Sequence, residues 1–174
     1  PEGIFAGYNF EQIKGFKHLF AESFSDDHLI LFGINHEVLK KENIETFNSL
    51  VVVNNKFEIL FKYNKIKLVP FGEFLPLENI LNNFGLKKIT QGHGSFSRGT
   101  EKSIFIYEKL KILPLICYEI IFTEMIKNDK SKNLLVNISQ DAWFGNTVGP
   151  YQHFAKAIFR AIESETFLIR SANQ

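Results

Sequence analysis

Cysteine is almost absent from this chain: Cys117 is the only one among 174 residues. A single thiol excludes an internal disulfide framework and any zinc site built on cysteines. No apolar run reaches the roughly 20 residues that a membrane-spanning helix needs, and no signal peptide opens the sequence. Charge of one sign is missing too. The 20 basic and 19 acidic residues leave a net charge of +1, and the lysines are scattered, so no nucleic-acid footprint is expected. Gly92-His93-Gly94 lacks the spacing of a phosphate loop. Ser139 and Ser171 have no base arrangement that would suggest a serine triad. His153 has no second His or Cys at ligand spacing, so no metal site and no cofactor are expected. The chain opens at Pro1 without a methionine and closes in a strand-like run. Both ends therefore read as cut, and residues 1–174 read as one domain of a longer protein.

Apolar residues are plentiful, at 45%, and 19 residues are Phe, which predicts a folded core rather than disorder. Asn9 to Phe24 carries Phe10, Ile13, Phe16, Leu19, Phe20 and Phe24 at helical spacing, with Asn9 and Gln12 in a capping-box pattern. His28 to Ile34 reads as a strand. Ser49 to Val53 and Phe57 to Tyr63 flank Asn54-Asn55 as a hairpin. Asn64 to Pro76 reads as a loop, Leu77 to Phe84 as a short helix, and Gln91 to Thr100 as a loop. Strands follow over 103–107 and 111–116, then a helix over 118–127. A strand over 133–138, a loop over 139–150, a helix over 151–163 and a strand over 166–171 complete the order. Strands alternating with helices, with one hairpin among them, predict a layered α/β sandwich containing mixed sheets.

Cys117 falls at the predicted junction of strand and helix. Unpaired N–H groups at a helix start favour thiolate, which is the nucleophilic form. A lone Cys is equally often a small core hydrophobe, and this stretch alone does not choose between the two. A cysteine nucleophile needs a base, a positive group for the developing oxyanion and exclusion of water. Glu2, at an apparent strand end, is a candidate base. Lys65 and Lys67 share a face if the strand continues, and spacing does not choose between them as the cation. Glu73 lies in an apolar, turn-rich setting where an unpaired carboxylate is costly. Glu119, two residues beyond Cys117, is placed to pair with a lysine, to brace the site or simply to complement a helix dipole. Asp141-Ala142-Trp143-Phe144-Gly145 holds the only Trp, either as an aromatic anchor of a loop or as a pocket wall.

Pro1-Glu2-Gly3, Tyr63-Asn64-Lys65 running to Leu68-Val69-Pro70-Phe71-Gly72-Glu73, Cys117-Tyr118-Glu119 and Asp141-Ala142-Trp143-Phe144-Gly145 together resemble the nitrilase (carbon–nitrogen hydrolase) superfamily. More narrowly, Phe74-Leu75-Pro76, Gly149-Pro150-Tyr151-Gln152-His153, Arg160-Ala161-Ile162-Glu163 and Arg170-Ser171-Ala172-Asn173 extend a similarity to the apolipoprotein N-acyltransferase family. The resemblance runs nearly the whole chain. It implies a nitrilase-like α-β-β-α sandwich and a Glu2-Lys65-Cys117 triad, with Lys65 rather than Lys67 as the stabilising cation. Glu73 and Glu119 would be supporting residues. Phe71, Phe74, Trp143 and Phe144 would contact substrate. It further implies ping-pong transfer of a fatty acyl chain from a phospholipid, through a Cys117 thioester, to the amine of a diacylglyceryl-cysteine apolipoprotein. The implied setting is a monomer at the bacterial inner membrane, facing the periplasm. Gln140 departs from the family, which usually has Asn there. The apolar run 71–86 fits an enzyme that draws substrate from a bilayer. A soluble amidase acting on small carbon–nitrogen substrates is the alternative enzyme, and a non-catalytic interaction domain on the same fold is the alternative of another class.

Overall fold

The computed structural model describes residues 1–5, 7–40, 43–76, 95–126 and 131–173. Strands β1 (Ile30–Lys40), β2 (Asn43–Val53) and β3 (Ile59–Asn64) form an antiparallel sheet in that order. Strands β4 (Phe105–Tyr107), β5 (Leu110–Ile116), β6 (Leu134–Gln140) and β7 (Phe167–Asn173) form a second sheet, also in sequence order. Its first pair is antiparallel and the rest are parallel, so this sheet is mixed. Helices α1 (Phe10–Lys14) and α2 (Lys17–Ser23) precede the first sheet. Helices α3 (Thr123–Ile126) and α4 (Gly149–Glu163) belong to the second.

The layering follows from period-2 alternation along the strands. Leu50 and Val52 of β2 point inward and join Tyr63, Ile112, Ile116, Val136 and Ile138 in the core between the sheets. Val51 and Val53 point the other way and pack with Phe10, Ile13, Phe32, Ile34 and Phe57 beneath α1. Leu113, Leu115 and Leu135 pack on the outer face of the second sheet with Ile120, Met125 and Ala157. The order of layers is therefore helix, sheet, sheet, helix. A continuous apolar run such as Leu50–Val53 is what a strand buried on both faces requires.

Several elements differ from the sequence-based expectation. The first helix is broken in two at Gly15, whose N–H bonds to the Gln12 carbonyl. The capping box forms, with Asn9 Oδ1 accepting from the Gln12 amide at 3.0 Å and Gln12 Oε1 accepting from the Asn9 amide at 2.8 Å. Phe10 and Ile13 are buried, but no residue of α2 is, and Phe16 and Leu19 are about half exposed. The first hairpin is much longer than 28–34 suggested, because β1 and β2 pair from Ile30↔Val53 to Lys40↔Asn43. Its far half carries His36, Glu37 and Asn48, and polar residues on both faces hide strand periodicity. The helix expected over 118–127 is instead a 3-10 turn, Cys117–Ile121, followed by the four-residue α3. The helix expected over 77–84, residues 91–94, and the part of the apolar run beyond Pro76 lie outside the described residues.

Candidate active site

Glu2, Lys65 and Cys117 meet where strands of both sheets end. Lys65 follows β3 by one residue and shares the inward face with Tyr63. Its amide donates to the Asn48 carbonyl at 2.8 Å, and its own carbonyl accepts from Gly99 at 2.8 Å. Glu2 lies in a turn rather than at a strand end, and that turn rests on Gly33 of β1, whose amide donates to the Pro1 carbonyl at 3.2 Å. A Cβ on Gly33 would stand 2.8 Å from Glu2 Cα. Only glycine allows the two backbones to approach so closely.

Lys65 is 1% exposed and bridges two carboxylates, with Nζ 3.2 Å from Glu2 Oε1 and 2.8 Å from Glu73 Oε1. Burial pulls its pKa down, but the charges of Glu2 and Glu73 outweigh burial and raise it, so the ammonium stays charged. Asn48 Nδ2 donates to the same two carboxylates, at 2.6 Å to Glu2 and 2.9 Å to Glu73. The remaining oxygens are occupied as well. Glu2 Oε2 accepts from the Gln140 amide at 3.1 Å and Glu73 Oε2 from the Val69 amide at 2.9 Å. Glu73 is held by the turn Pro70–Phe74, in which Phe71 adopts a left-handed φ of 60°. Lys67 is not part of this cluster: it pairs with Glu124 at 3.2 Å and lies over the Phe122 ring.

Cys117 leaves β5 with φ 47°. A left-handed conformation at a residue with a Cβ costs roughly 1–2 kcal/mol and persists only where the surroundings enforce it. Part of the enforcement comes from Glu119, which is 0% exposed. Its carboxylate accepts from the amides of Ile116 at 2.9 Å, Ile66 at 2.7 Å and Lys67 at 3.1 Å, and from the Tyr63 hydroxyl at 2.8 Å. One side chain thus ties the elbow of Cys117 to the segment that carries Lys65. Burial raises the Glu119 pKa in spite of these donors. The dipole explanation for Glu119 fails, because the Cys117–Ile121 turn is too short and the carboxylate points into the interior.

Glu2, Ser139 and the Lys65 charge all act on the Cys117 thiol. Burial, and then the charge of Glu2, push its pKa up to about 11, against a smaller opposing pull from Lys65. The resting group is therefore a thiol. The expectation that a helix start would favour thiolate is overturned, since the turn supplies little dipole and desolvation dominates. A thiol beside a carboxylate and a fixed ammonium fits proton transfer coupled to attack on a carbonyl, with the cation close to the developing oxyanion.

Several residues of this region were not evident as site residues from the sequence. Asp141, His153 and Arg170 form a buried network beneath Cys117. Ser139 Oγ donates to Asp141 Oδ1 at 2.6 Å, His153 Nδ1 lies 3.0 Å from the same oxygen, and Arg170 pairs with Asp141 Oδ2 at 2.6 Å. Burial pushes the Asp141 pKa up, but the hydrogen bonds from Ser139, Arg170 and His153 prevail and hold it below its ordinary value. Asn48 gave no signal, since it lies in the polar half of the hairpin. The aromatic candidates lie outside the cluster. Trp143 is 63% exposed, which excludes the core-anchor reading, and Phe71 and Phe144 are also exposed. Phe74 lies beneath the Arg98 guanidinium, 5.0 Å away. Among the described residues no group of three His, Cys, Asp or Glu is placed to hold a metal ion.

Two stacked sheets between helix layers, with a strained cysteine at the exit of a parallel strand, define a nitrilase-like fold. The chain belongs to the carbon-nitrogen hydrolase family, whose sequence pattern matches residues 19–174. It is 39% identical over 157 residues to an apolipoprotein N-acyltransferase of Rhizobium etli, a match covering 88% of this chain and 29% of that protein. It is likewise 39% identical over 147 residues to an apolipoprotein N-acyltransferase of Rickettsia prowazekii, covering 83% of this chain and 29% of that one. The chain therefore spans less than a third of the length of these relatives. Among solved structures, a carbon-nitrogen hydrolase from Helicobacter pylori matches with a TM-score of 0.63 at 17% identity, covering 94% of this chain and 51% of that one. A glutamine-dependent NAD+ synthetase from Acinetobacter baumannii matches at 0.64 and 18%, covering 94% and 27%. At these identities the structural matches speak to fold alone.

Proposed function

We propose that this chain is the catalytic domain, residues 1–174, of an acyltransferase that moves a fatty acyl chain from a phospholipid to the amine of a diacylglyceryl-cysteine apolipoprotein. The observation that carries the reading is the convergence of Glu2, Lys65 and Cys117 from distant parts of a chain whose relatives are named apolipoprotein N-acyltransferases. In the first half-reaction Glu2 takes the Cys117 proton as sulfur attacks the ester carbonyl. Lys65 Nζ stabilises the tetrahedral oxyanion. Collapse breaks the ester C–O bond, the proton passes from Glu2 to the departing lysophospholipid, and a thioester remains. In the second, the acceptor amine attacks the thioester, Glu2 takes its proton, and Cys117 leaves and recovers its hydrogen. Glu73 holds Lys65 charged and in place, and Glu119 fixes the elbow. Phe71, Phe74, Trp143 and Phe144 line the approach of the acyl chain. The donor and acceptor put the domain at the bacterial inner membrane, on the periplasmic side. Among the described residues no helix is long and apolar enough to cross a membrane, and the membrane contact proposed for this domain is the apolar run 71–86.

The test is the intact mass of the full-length protein after incubation with phosphatidylethanolamine vesicles. An acyl adduct on Cys117 is expected, absent from Cys117→Ala and discharged by a diacylglyceryl-cysteine peptide. No adduct, together with Cys117-dependent hydrolysis of a small amide, would overturn the reading in favour of an amidase.

A further inference from the structure

The buried network beneath Cys117 has no part in the proton transfers just described. His153 lies on α4, is buried, and places both ring nitrogens against oxygen. Nδ1 faces Asp141 at 3.0 Å, and Nε2 faces the Cys117 backbone carbonyl at 3.1 Å. A carbonyl only accepts, so Nε2 carries the hydrogen of that bond. The opposite side of the ring is fixed in turn. Arg170 of β7 reaches Asp141 Oδ2 at 2.6 Å, His153 Nδ1 at 3.2 Å and the Asn137 side-chain oxygen. Asn137 of β6 donates to the Leu115 carbonyl of β5 at 3.0 Å. The Phe144 ring stands edge-on to the imidazole, with centroids 5.6 Å apart.

These contacts close a ring around the nucleophile. The Cys117 thiol meets Ser139, Ser139 donates to Asp141, Asp141 faces His153, and His153 returns to the Cys117 carbonyl. One connected set of side chains from β6, the turn that follows it and α4 thus grips the Cys117 carbonyl and acts on its sulfur, with Arg170 of β7 bracing it. A left-handed φ of 47° at a residue with a Cβ needs such a hold. Rotation of this peptide plane would swing the thiol away from Glu2.

We propose that His153, fixed by Asp141 and Arg170, is a positioning residue that grips the Cys117 carbonyl through Nε2 and so presents the thiol to Glu2. The kinetic readout rests on the acyl-transfer reading. In full-length protein with phosphatidylethanolamine vesicles, His153→Leu is expected to slow thioester formation about 100-fold with the donor KM unchanged. His153→Gln, which keeps an N–H donor near the place of Nε2, is expected to recover at least about tenfold of that loss, as the donor restores the hold on geometry. Thioester formation at the wild-type rate in His153→Leu would overturn the proposal. So would equal losses in His153→Leu and His153→Gln when both variants melt as wild type does. Should His153→Leu fail to fold, His153→Asn takes its place. Its amide mimics Nδ1 and stops short of the carbonyl, so the same loss is expected and a wild-type rate overturns the proposal.

A second readout needs no acyl donor. The pH of half-maximal iodoacetamide reaction at Cys117 should fall from about 11 toward the ordinary 9.0 in His153→Leu, as the thiol leaves Glu2 and its buried setting. An unmoved profile overturns the proposal. A shifted profile in a protein that forms no thioester would leave the positioning role standing and remove the proposed function.

Discussion

Lys65 lies closer to Glu73 than to Glu2, with Nζ–Oε1 distances of 2.8 Å and 3.2 Å. Glu73 is thus the nearer partner of the ammonium, and Glu2 is the carboxylate that also contacts the thiol. Among the described residues, Glu73→Gln would leave Glu2 as the one carboxylate paired with Lys65 and draw it toward the cation, away from sulfur. Thioester formation should fall about 10- to 100-fold, since small misplacements at a reacting centre cost that much. Single-turnover kinetics with a phospholipid donor measure it.

Glu2→Gln separates reactivity from catalysis. Burial and then the Glu2 charge hold the Cys117 thiol up at about 11. Removing the Glu2 charge should lower that value, so iodoacetamide reaction at neutral pH should speed up. Turnover should fall by about 10² to 10⁴, since the variant lacks the proposed base. Lys65→Met should move the alkylation profile the opposite way, to higher pH. Mass spectrometry of alkylation against pH reads both, and opposite signs are the decisive feature.

Lys65→Met should also destabilise the fold. Lys65 is 1% exposed, and its loss leaves the buried carboxylate of Glu2 and the partly buried one of Glu73 facing each other across Asn48. Removing one partner of a buried pair costs about 3–5 kcal/mol. Urea denaturation monitored by circular dichroism gives the difference.

Gly33→Ala tests the close passage of the Glu2 turn over β1. The new Cβ would lie 2.8 Å from Glu2 Cα and 2.9 Å from Ile138 Cδ1. The Glu2 turn is less anchored than the strand, so it should yield first. Turnover is expected to drop about 100-fold by displacement of Glu2, the proposed base, with a smaller change in melting temperature than Lys65→Met gives.

Tyr63→Phe removes one donor from the buried carboxylate of Glu119 while three backbone amides remain. Loss of a hydrogen bond to a charged group costs about 1.5–3 kcal/mol. Thermal melts should show that loss. Thioester formation should change little, because the amides alone keep the elbow in place.

The sequence by itself determined the class of fold and singled out Glu2, Lys65 and Cys117 as candidates for the chemistry. Apolar runs such as 50–53 and 113–116 are continuous because those strands are covered on both faces, and such runs are legible locally. The glutamate, lysine and cysteine motifs were legible as candidates because a base, a cation and a nucleophile each demand a side-chain chemistry that few residue types supply. Tertiary structure alone decided the rest. Whether Lys65 or Lys67 enters the site depends on how the chain turns after β3, which keeps Lys65 against Asn48, Glu2 and Glu73 and sends Lys67 to Glu124 and Phe122, and spacing carries no such information. The Cys117 turn was predicted as a helix because its apolar residues fit that period. It is held in another form by Glu119 bonds to Ile66 and Lys67, some fifty residues away in sequence. The far half of the first hairpin was hidden because its polar residues serve the site or face outward, so alternation is lost. The thiol was expected to ionise readily from its place at a predicted helix start. Its raised pKa comes from burial and from Glu2, two properties that exist only once distant segments are packed together.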